Sequence, residues 1–356
     1  MKFTIEKTEF EKALFNVIRV ADEKTGLYIK AEADTVTVIG TDIAISLKGW
    51  CNADIEESGH IMTDKKLFDI IKSLKDDITL STESTILKIK SGKASFEIPF
   101  QNGDNYPIPE EEKDFCEAHI SAVELNKAIN KTMHAIGINS SKAILQGSLF
   151  EFNGSNLSVV SLDGYRLAKY DCNVECQQGF KIIIPFKAIT ELKKVISGET
   201  VKILRSEKRA IFKNECFEMW TRLIDGEFPN YNSLIPQKFN IEVPFYRSVL
   251  LSTLERCRLI SDETREPVRI EFQKNNVSFS SVSRKGKVTE KITVENNDEL
   301  TIGFNPKYLV QALKEFENEK ITFEMNGSLQ PIIIREDNFL NLILPVRLRG
   351  KEDEIL

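Results

Sequence analysis

The chain has 356 residues, 41% of them hydrophobic and 29% charged, a balance that excludes an intrinsically disordered or membrane-embedded protein and suits two or three domains of roughly 100–150 residues. Its formal net charge of −6 excludes a protein that coats nucleic acid with its whole surface, but leaves room for a local basic face. The opening MKFTIEKTEF lacks a signal-type apolar stretch and no later run reaches about 18 uncharged apolar residues, so a cytoplasmic address without membrane insertion is expected.

In chain order, the first amphipathic helix is FEKALFNVI, with Phe10, Leu14 and Val17 on one face. A second helix, KKLFDIIKSL, precedes the strand ITLSTE and the strand pair ILKIKSGKASFEIPF. The same order then recurs. ELNKAINKTMHAI, KAITELKKVI, VKILRS and AIFKNECFEMWTRLI repeat it, with Leu125, Ile129, Met133 and Ile136 as the apolar face of the first of these helices. SVLLSTLERCRLI, KYLVQALKEF, ITFEMN and PIIIREDNFLNLILPVRL repeat it again. Lys66, Lys187 and Lys307 stand at matching positions about 120 residues apart. The expected architecture is therefore α+β, three repeated domains of two helices packed on antiparallel sheet, with bounds 1–116, 117–240 and 241–356. No Pro-rich or Gly/Ser-rich linker marks either join.

Chemistry of an enzymatic kind is not indicated. Walker, dinucleotide-glycine, G-x-S-x-G and H-E-x-x-H patterns are absent, so no catalytic residue, cofactor or metal is expected. The six cysteines are scattered and read as reduced. Cys172 and Cys176 have a metal-like gap, but no second pair answers them and His60, His119 and His134 lie far off in the chain. Asp163, ahead of Gly164, reads as a hairpin turn rather than a catalytic carboxylate, and Asp225-Gly226 likewise reads as a loop.

Charge separates by element: the six helical windows are together net positive, while strands and loops carry the acid. Helices sharing one side would present that side to phosphate, without base reading. The DNA-facing candidates are Lys12, Arg19, Lys72, Lys142, Lys187, Lys193, Arg256, Arg258 and Lys307. No alternation of aromatic and basic residues of the single-strand-binding type is visible. A repeat-built protein-interaction scaffold that never touches DNA is the competing reading, motivated by the acidic total and by lysine's suitability for any solvated helix.

Four motifs, SLDGYRLA, LIDGEFPNY, FNPKYL and LILPVRL, resemble the bacterial β sliding clamp family, the beta subunit of DNA polymerase III, and do so in the right order. The resemblance covers essentially the whole chain. It implies a processivity factor that closes as a six-domain ring from a head-to-tail homodimer, lined by twelve helices and encircling duplex DNA. It also implies a pocket that takes short peptides from DNA polymerase III and other polymerases, the clamp loader and repair proteins. The matching positions are Leu145, Leu162, Gly164, Tyr165, Arg166, Leu167, Pro229, Leu234, Asn305, Tyr308, Pro331, Leu342, Leu344, Pro345, Val346 and Arg347. Lys66, Phe96, Leu259 and Ile260 match dimer-interface positions. Three departures stand out. Leu162 occupies a place commonly held by threonine, which implies an altered peptide preference. The stretch EKTGLYIKAE lacks several residues expected after the first helix, implying a trimmed first domain. The octapeptide RGKEDEIL runs past the usual end and is expected to hang in solvent.

Overall fold

The computed structural model describes residues 1–109, 115–261 and 267–348. The terminal RGKEDEIL lies outside these residues, as do 110–114 and 262–266. Six α-helices are described: α1 (Lys7–Val17), α2 (Lys66–Ser73), α3 (Ala122–Met133), α4 (Phe186–Val195), α5 (Arg247–Ile260) and α6 (Pro306–Lys314). Their bounds follow local chemistry. Asn305 caps α6 by accepting from the Lys307 amide at 3.0 Å, and Pro306 occupies the first turn, where a missing N–H costs nothing. Asp64 accepts from the Lys66 amide at 2.7 Å as α2 begins. The apolar stripes face inward: Phe10, Leu14 and Val17 on α1, Ile189 and Leu192 on α4, and Leu250 and Leu254 on α5 are buried.

The chain divides into two compact units. One comprises Met1–Asn126, Phe152–Ser155 and Val174–Asp225; the other comprises Lys127–Glu151, Asn156–Asn173 and Gly226–Leu356. The second sequence repeat thus contributes to both.

In the first unit one 14-stranded sheet runs from the edge strand Glu175–Cys176 to the edge strand Asp54–Glu57. Near its middle, Glu218–Arg222, the last strand of the second repeat, pairs antiparallel with Ile45–Asn52 of the first, bringing Glu218 opposite Lys48 and Trp220 opposite Ser46. Strand Ala94–Asn102 pairs over Ala94–Pro99 with Ile86–Ser91, and over Phe100–Asn102 with Ile61–Thr63. Among the described residues its Ala94–Pro99 part therefore has a ladder on one side only.

The second unit repeats this plan. Phe339–Ile343, the last strand of the third repeat, pairs antiparallel with Arg166–Asn173 of the second, with Leu342 opposite Leu167. A separate four-stranded sheet orders Gly286–Thr293, Asn276–Ser283, Val268–Gln273 and Leu300–Phe304, so Gly286–Thr293 is an edge. The architecture is three-domain α+β, with the expected helix and strand order in every repeat.

Candidate functional site

The residues around the first Asp-Gly turn form a built cradle in the second unit. Gly164 takes φ +93°, which closes the hairpin between Asn156–Leu162 and Arg166–Asn173. Asp163 holds that turn: its carboxylate accepts from the amides of Tyr165 and Arg166 at 2.9 and 3.0 Å, and from Arg166 Nε at 2.9 Å. The Asp-Gly pair is thus a turn, as its sequence indicated, and the aspartate is committed to structure. Arg166, only 9% exposed, also donates from Nη1 to Gln311 Oε1 on α6 at 2.6 Å. Its guanidinium lies 4.3 Å from the Tyr308 ring centroid, a cation–π geometry.

Tyr165 is left 63% exposed, its ring stacked toward Tyr308 with centroids 6.5 Å apart. Burial pushes the Tyr308 phenol above its ordinary pKa, with a further upward push from Asp163, so it stays protonated. The chain after Phe339–Ile343 is pinned alongside: the Leu344 amide donates to the Tyr165 carbonyl and the Val346 amide to the Gly303 carbonyl, both at 2.8 Å. Leu344, Val346 and Arg347 nevertheless keep exposed side chains. Segments held by backbone bonds with apolar tips in solvent are what a peptide-docking surface requires.

Leu145 is drawn to the same turn. Its carbonyl accepts from the Gly137 amide at 2.9 Å, and a side chain at Gly137 would come within 3.2 Å of both that carbonyl and the Asp163 Cα. Leu145, Leu162, Leu167 and Leu342 are all buried and support the floor, while Leu234 is exposed and Pro229, Pro331 and Pro345 are partly exposed. Beneath the turn lies a polar pair that the sequence did not single out: His134 Nε2 meets the Asn341 side chain at 2.9 Å. Burial, reinforced by the charge of Arg166, pushes this histidine down to about 4, so the ring is neutral near pH 7.

The DNA-facing candidates are less uniform. Lys72 and Lys142 are exposed and make no ion pair among the described residues. Lys12 pairs with Glu9 at 2.7 Å, Lys187 with Asp42, and Arg256 with Glu290 through Nη2 at 2.6 Å. Arg19 stacks 4.3 Å from the Phe15 ring. Lys193 and Arg258 extend from α4 and α5, and Lys307 opens α6. Of the interface candidates, Phe96 lies on the open Ala94–Pro99 edge and Leu259 is 75% exposed. Ile260 sits beside the other open edge, its carbonyl accepting from Ser283 Oγ at 2.6 Å, and Lys66 is exposed at the start of α2.

The chain is similar to known proteins along nearly its whole length. The chain matches the family models of the DNA polymerase III beta subunit over its N-terminal domain (residues 1–110), central domain (119–230) and C-terminal domain (232–347). It is 30% identical to the Beta sliding clamp of Bacillus subtilis, covering 98% of this chain and 100% of the relative.

The chain belongs to the DNA polymerase III beta subunit family.

As a beta sliding clamp its function is that of a DNA processivity factor. The Beta sliding clamp of Streptococcus pneumoniae is 28% identical, with 97% of this chain and 99% of the relative covered. Among solved structures, the DNA polymerase III subunit beta from Pseudomonas aeruginosa aligns with a TM-score of 0.94 at 26% identity, covering 98% of this chain and 100% of that one. The sliding clamp from Bacillus subtilis gives 0.93 at 28%, with the same coverage.

Among the described residues no group of three or more His, Cys, Asp or Glu is placed to hold a metal, and neither Cys172 nor Cys176 is in a disulfide. No described helix is long and apolar enough to cross a membrane. Residues that sequence reasoning missed are Gln311, which fixes Arg166, and the His134–Asn341 pair. Gln311 was findable, because it falls three residues after Tyr308 and so shares its helix face.

Proposed function

We propose that this clamp closes head to tail with a second copy into a six-domain ring around duplex DNA, contacts the backbone without reading sequence, and tethers partners through the cradle at Tyr165. The observation that carries ring closure is the repetition of one seam. Within the chain, the last strand of each later repeat pairs antiparallel with an earlier repeat's strand: Glu218–Arg222 with Ile45–Asn52, and Phe339–Ile343 with Arg166–Asn173. The third-repeat equivalent of Ile45–Asn52 and Arg166–Asn173 is Gly286–Thr293, and the first-repeat equivalent of the closing strands is Ala94–Asn102. Both present open edges among the described residues. An exposed edge invites pairing, and a heterologous contact that closes leaves no growing end. Phe96 on one edge, and Leu259 and Ile260 beside the other, then become buried, with Lys66 nearby.

Inside the ring, Lys12, Arg19, Lys72, Lys142, Lys187, Lys193, Arg256, Arg258 and Lys307 supply a diffuse positive field. Each exposed charge is individually weak, so retention depends on topology and the clamp slides. The cradle residues Leu145, Leu162, Gly164, Tyr165, Arg166, Leu167, Pro229, Leu234, Asn305, Tyr308, Pro331, Leu342, Leu344, Pro345, Val346 and Arg347 receive linear peptides of DNA polymerase III, other polymerases, the clamp loader and repair proteins. The clamp has no catalytic step of its own and works in the cytoplasm. The domain bounds 1–116, 117–240 and 241–356 follow the repeat.

The test is retention. Clamp loaded on nicked circular duplex by its cognate loader should stay bound through gel filtration in high salt, and should be lost once the circle is cut. Loss at the same rate from circle and linear product would refute encirclement. No retention on the circle at all would favour the scaffold that never touches DNA, and undiminished loading after Lys72→Glu, Lys142→Glu and Lys187→Glu would remove those lysines from the channel.

A further inference from the structure

Across the seam in the first unit lies an open groove of about 500 Å³ that the clamp function does not use. Its floor is sheet, and its cations come from both repeats. Lys202 and Lys213 stand directly opposite each other on neighbouring strands. Lys48 lies beyond, separated from Lys213 by Glu218, which is opposite both. Like charges placed across a ladder destabilise a sheet by themselves. Here a single carboxylate inside the groove, Glu218, stands 3.9 Å from Lys48, and Glu117, on the neighbouring strand, holds Lys202 at 2.6 Å. The lining keeps a net positive charge.

Beside this row stands Trp50, partly exposed, with Thr37 opposite it on the next strand. Asn214 also lines the groove, but its amide is already committed: Nδ2 donates to the Ser197 carbonyl at 2.6 Å, and Oδ1 accepts from the Cys216 and Phe217 amides. The Thr35 hydroxyl is likewise committed, donating to Asp34 at 3.0 Å, so the groups left to receive a ligand are three ammonium groups, the Thr37 hydroxyl and one indole face.

We infer that this groove binds single-stranded DNA, with Lys48, Lys202 and Lys213 meeting successive phosphates and Trp50 stacking on an unpaired base. Lysines tracking a backbone beside an aromatic ring are the parts from which sequence-tolerant single-strand sites are made. The size suits a nucleotide rather than a lone phosphate, being within the range of organic-ligand pockets. An acidic peptide would use the lysines but leave the indole without a partner. The element is invisible along the chain because Lys48 and Trp50 come from one repeat and Lys202 and Lys213 from the next.

Trp50 and Trp220 are the only tryptophans, so a Trp220→Phe background makes Trp50 fluorescence the reporter. Titration with an oligothymidylate should quench it, and a duplex hairpin of equal length should not. In that background, Lys202→Gln with Lys213→Gln should weaken oligothymidylate binding at least tenfold and flatten the log–log salt slope by about 1.4, without lowering the thermal midpoint. Trp50→Leu should weaken binding severalfold, measured by anisotropy of a labelled oligonucleotide. Lys72→Glu with Lys142→Glu should leave the quench intact, which separates this groove from the proposed duplex channel. Equal quenching by duplex, equal competition by polyglutamate, or undiminished affinity in the double glutamine variant would each overturn the assignment.

Discussion

The cationic side chains of the helices and the cradle around Tyr165 differ in how firmly they are held. On the helices, Lys12, Lys187 and Arg256 are partly neutralised by nearby carboxylates, while Lys72 on α2 and Lys142, in the connection after α3, project into solvent. Nothing fixes their geometry, which suits a partner that must be held and yet allowed to move. In the cradle, Arg166 is bound by Asp163 and Gln311 and covered by Tyr308, and the segment carrying Leu344 and Val346 is tied down by two backbone bonds. That rigidity lowers the entropy cost of capturing a peptide. The proposed sliding and tethering would thus draw on loose charge in one place and ordered apolar surface in the other.

This contrast breaks most readily at Arg166. Arg166→Ala leaves Asp163 without its buried partner and should cost roughly 3–5 kcal/mol, read as a lowered denaturant midpoint of the cradle-containing unit; a change below about 1 kcal/mol would mean the pair is not structural. Leu344→Ala with Val346→Ala, both exposed at the surface, should spare stability and weaken peptide binding by roughly 2–4 kcal/mol. Calorimetry with a clamp-binding peptide decides it, and unchanged affinity would remove these residues from the pocket.

Acid should discriminate the two regions next. His134 is held neutral with its pKa pushed down to about 4, so the stability it contributes is complete above about pH 6.5 and is lost as pH falls through about 4, up to roughly 3 kcal/mol. His134→Gln should flatten that part of the stability–pH curve; an unchanged slope would place the titration elsewhere. The smallest single effects belong to the exposed lysines. Lys72→Glu or Lys142→Glu alone should shift duplex affinity by about 1 kcal/mol or less, and the shift should fade as salt rises. A large, salt-insensitive loss from one lysine would turn the diffuse field into a specific contact.

The repeat, the six helices and the Asp-Gly turn were legible in sequence because helical periodicity and turn chemistry are local. Phe10, Leu14 and Val17 announce a face on their own, and so does Leu309 with Leu313. The cradle was legible only through resemblance. No spacing rule brings Leu145, Tyr165, Tyr308 and Val346 together, since their proximity depends on the seam between Arg166–Asn173 and Phe339–Ile343. Charge was legible in sign but not in availability, because the partners of Lys187 and Arg256, Asp42 and Glu290, come from distant segments. The groove at Trp50 escaped for the same reason, being assembled from two repeats.

Ring closure is the claim on which encirclement, the channel and sliding all depend, and solution mass tests it most directly. Light scattering at micromolar concentration should give twice the 40.6 kDa subunit, with Phe96→Asp or Leu259→Asp reducing it to one subunit while the fold persists by circular dichroism. A wild-type mass of 40.6 kDa at that concentration would contradict closure and leave both edges, Ala94–Pro99 and Gly286–Thr293, unexplained.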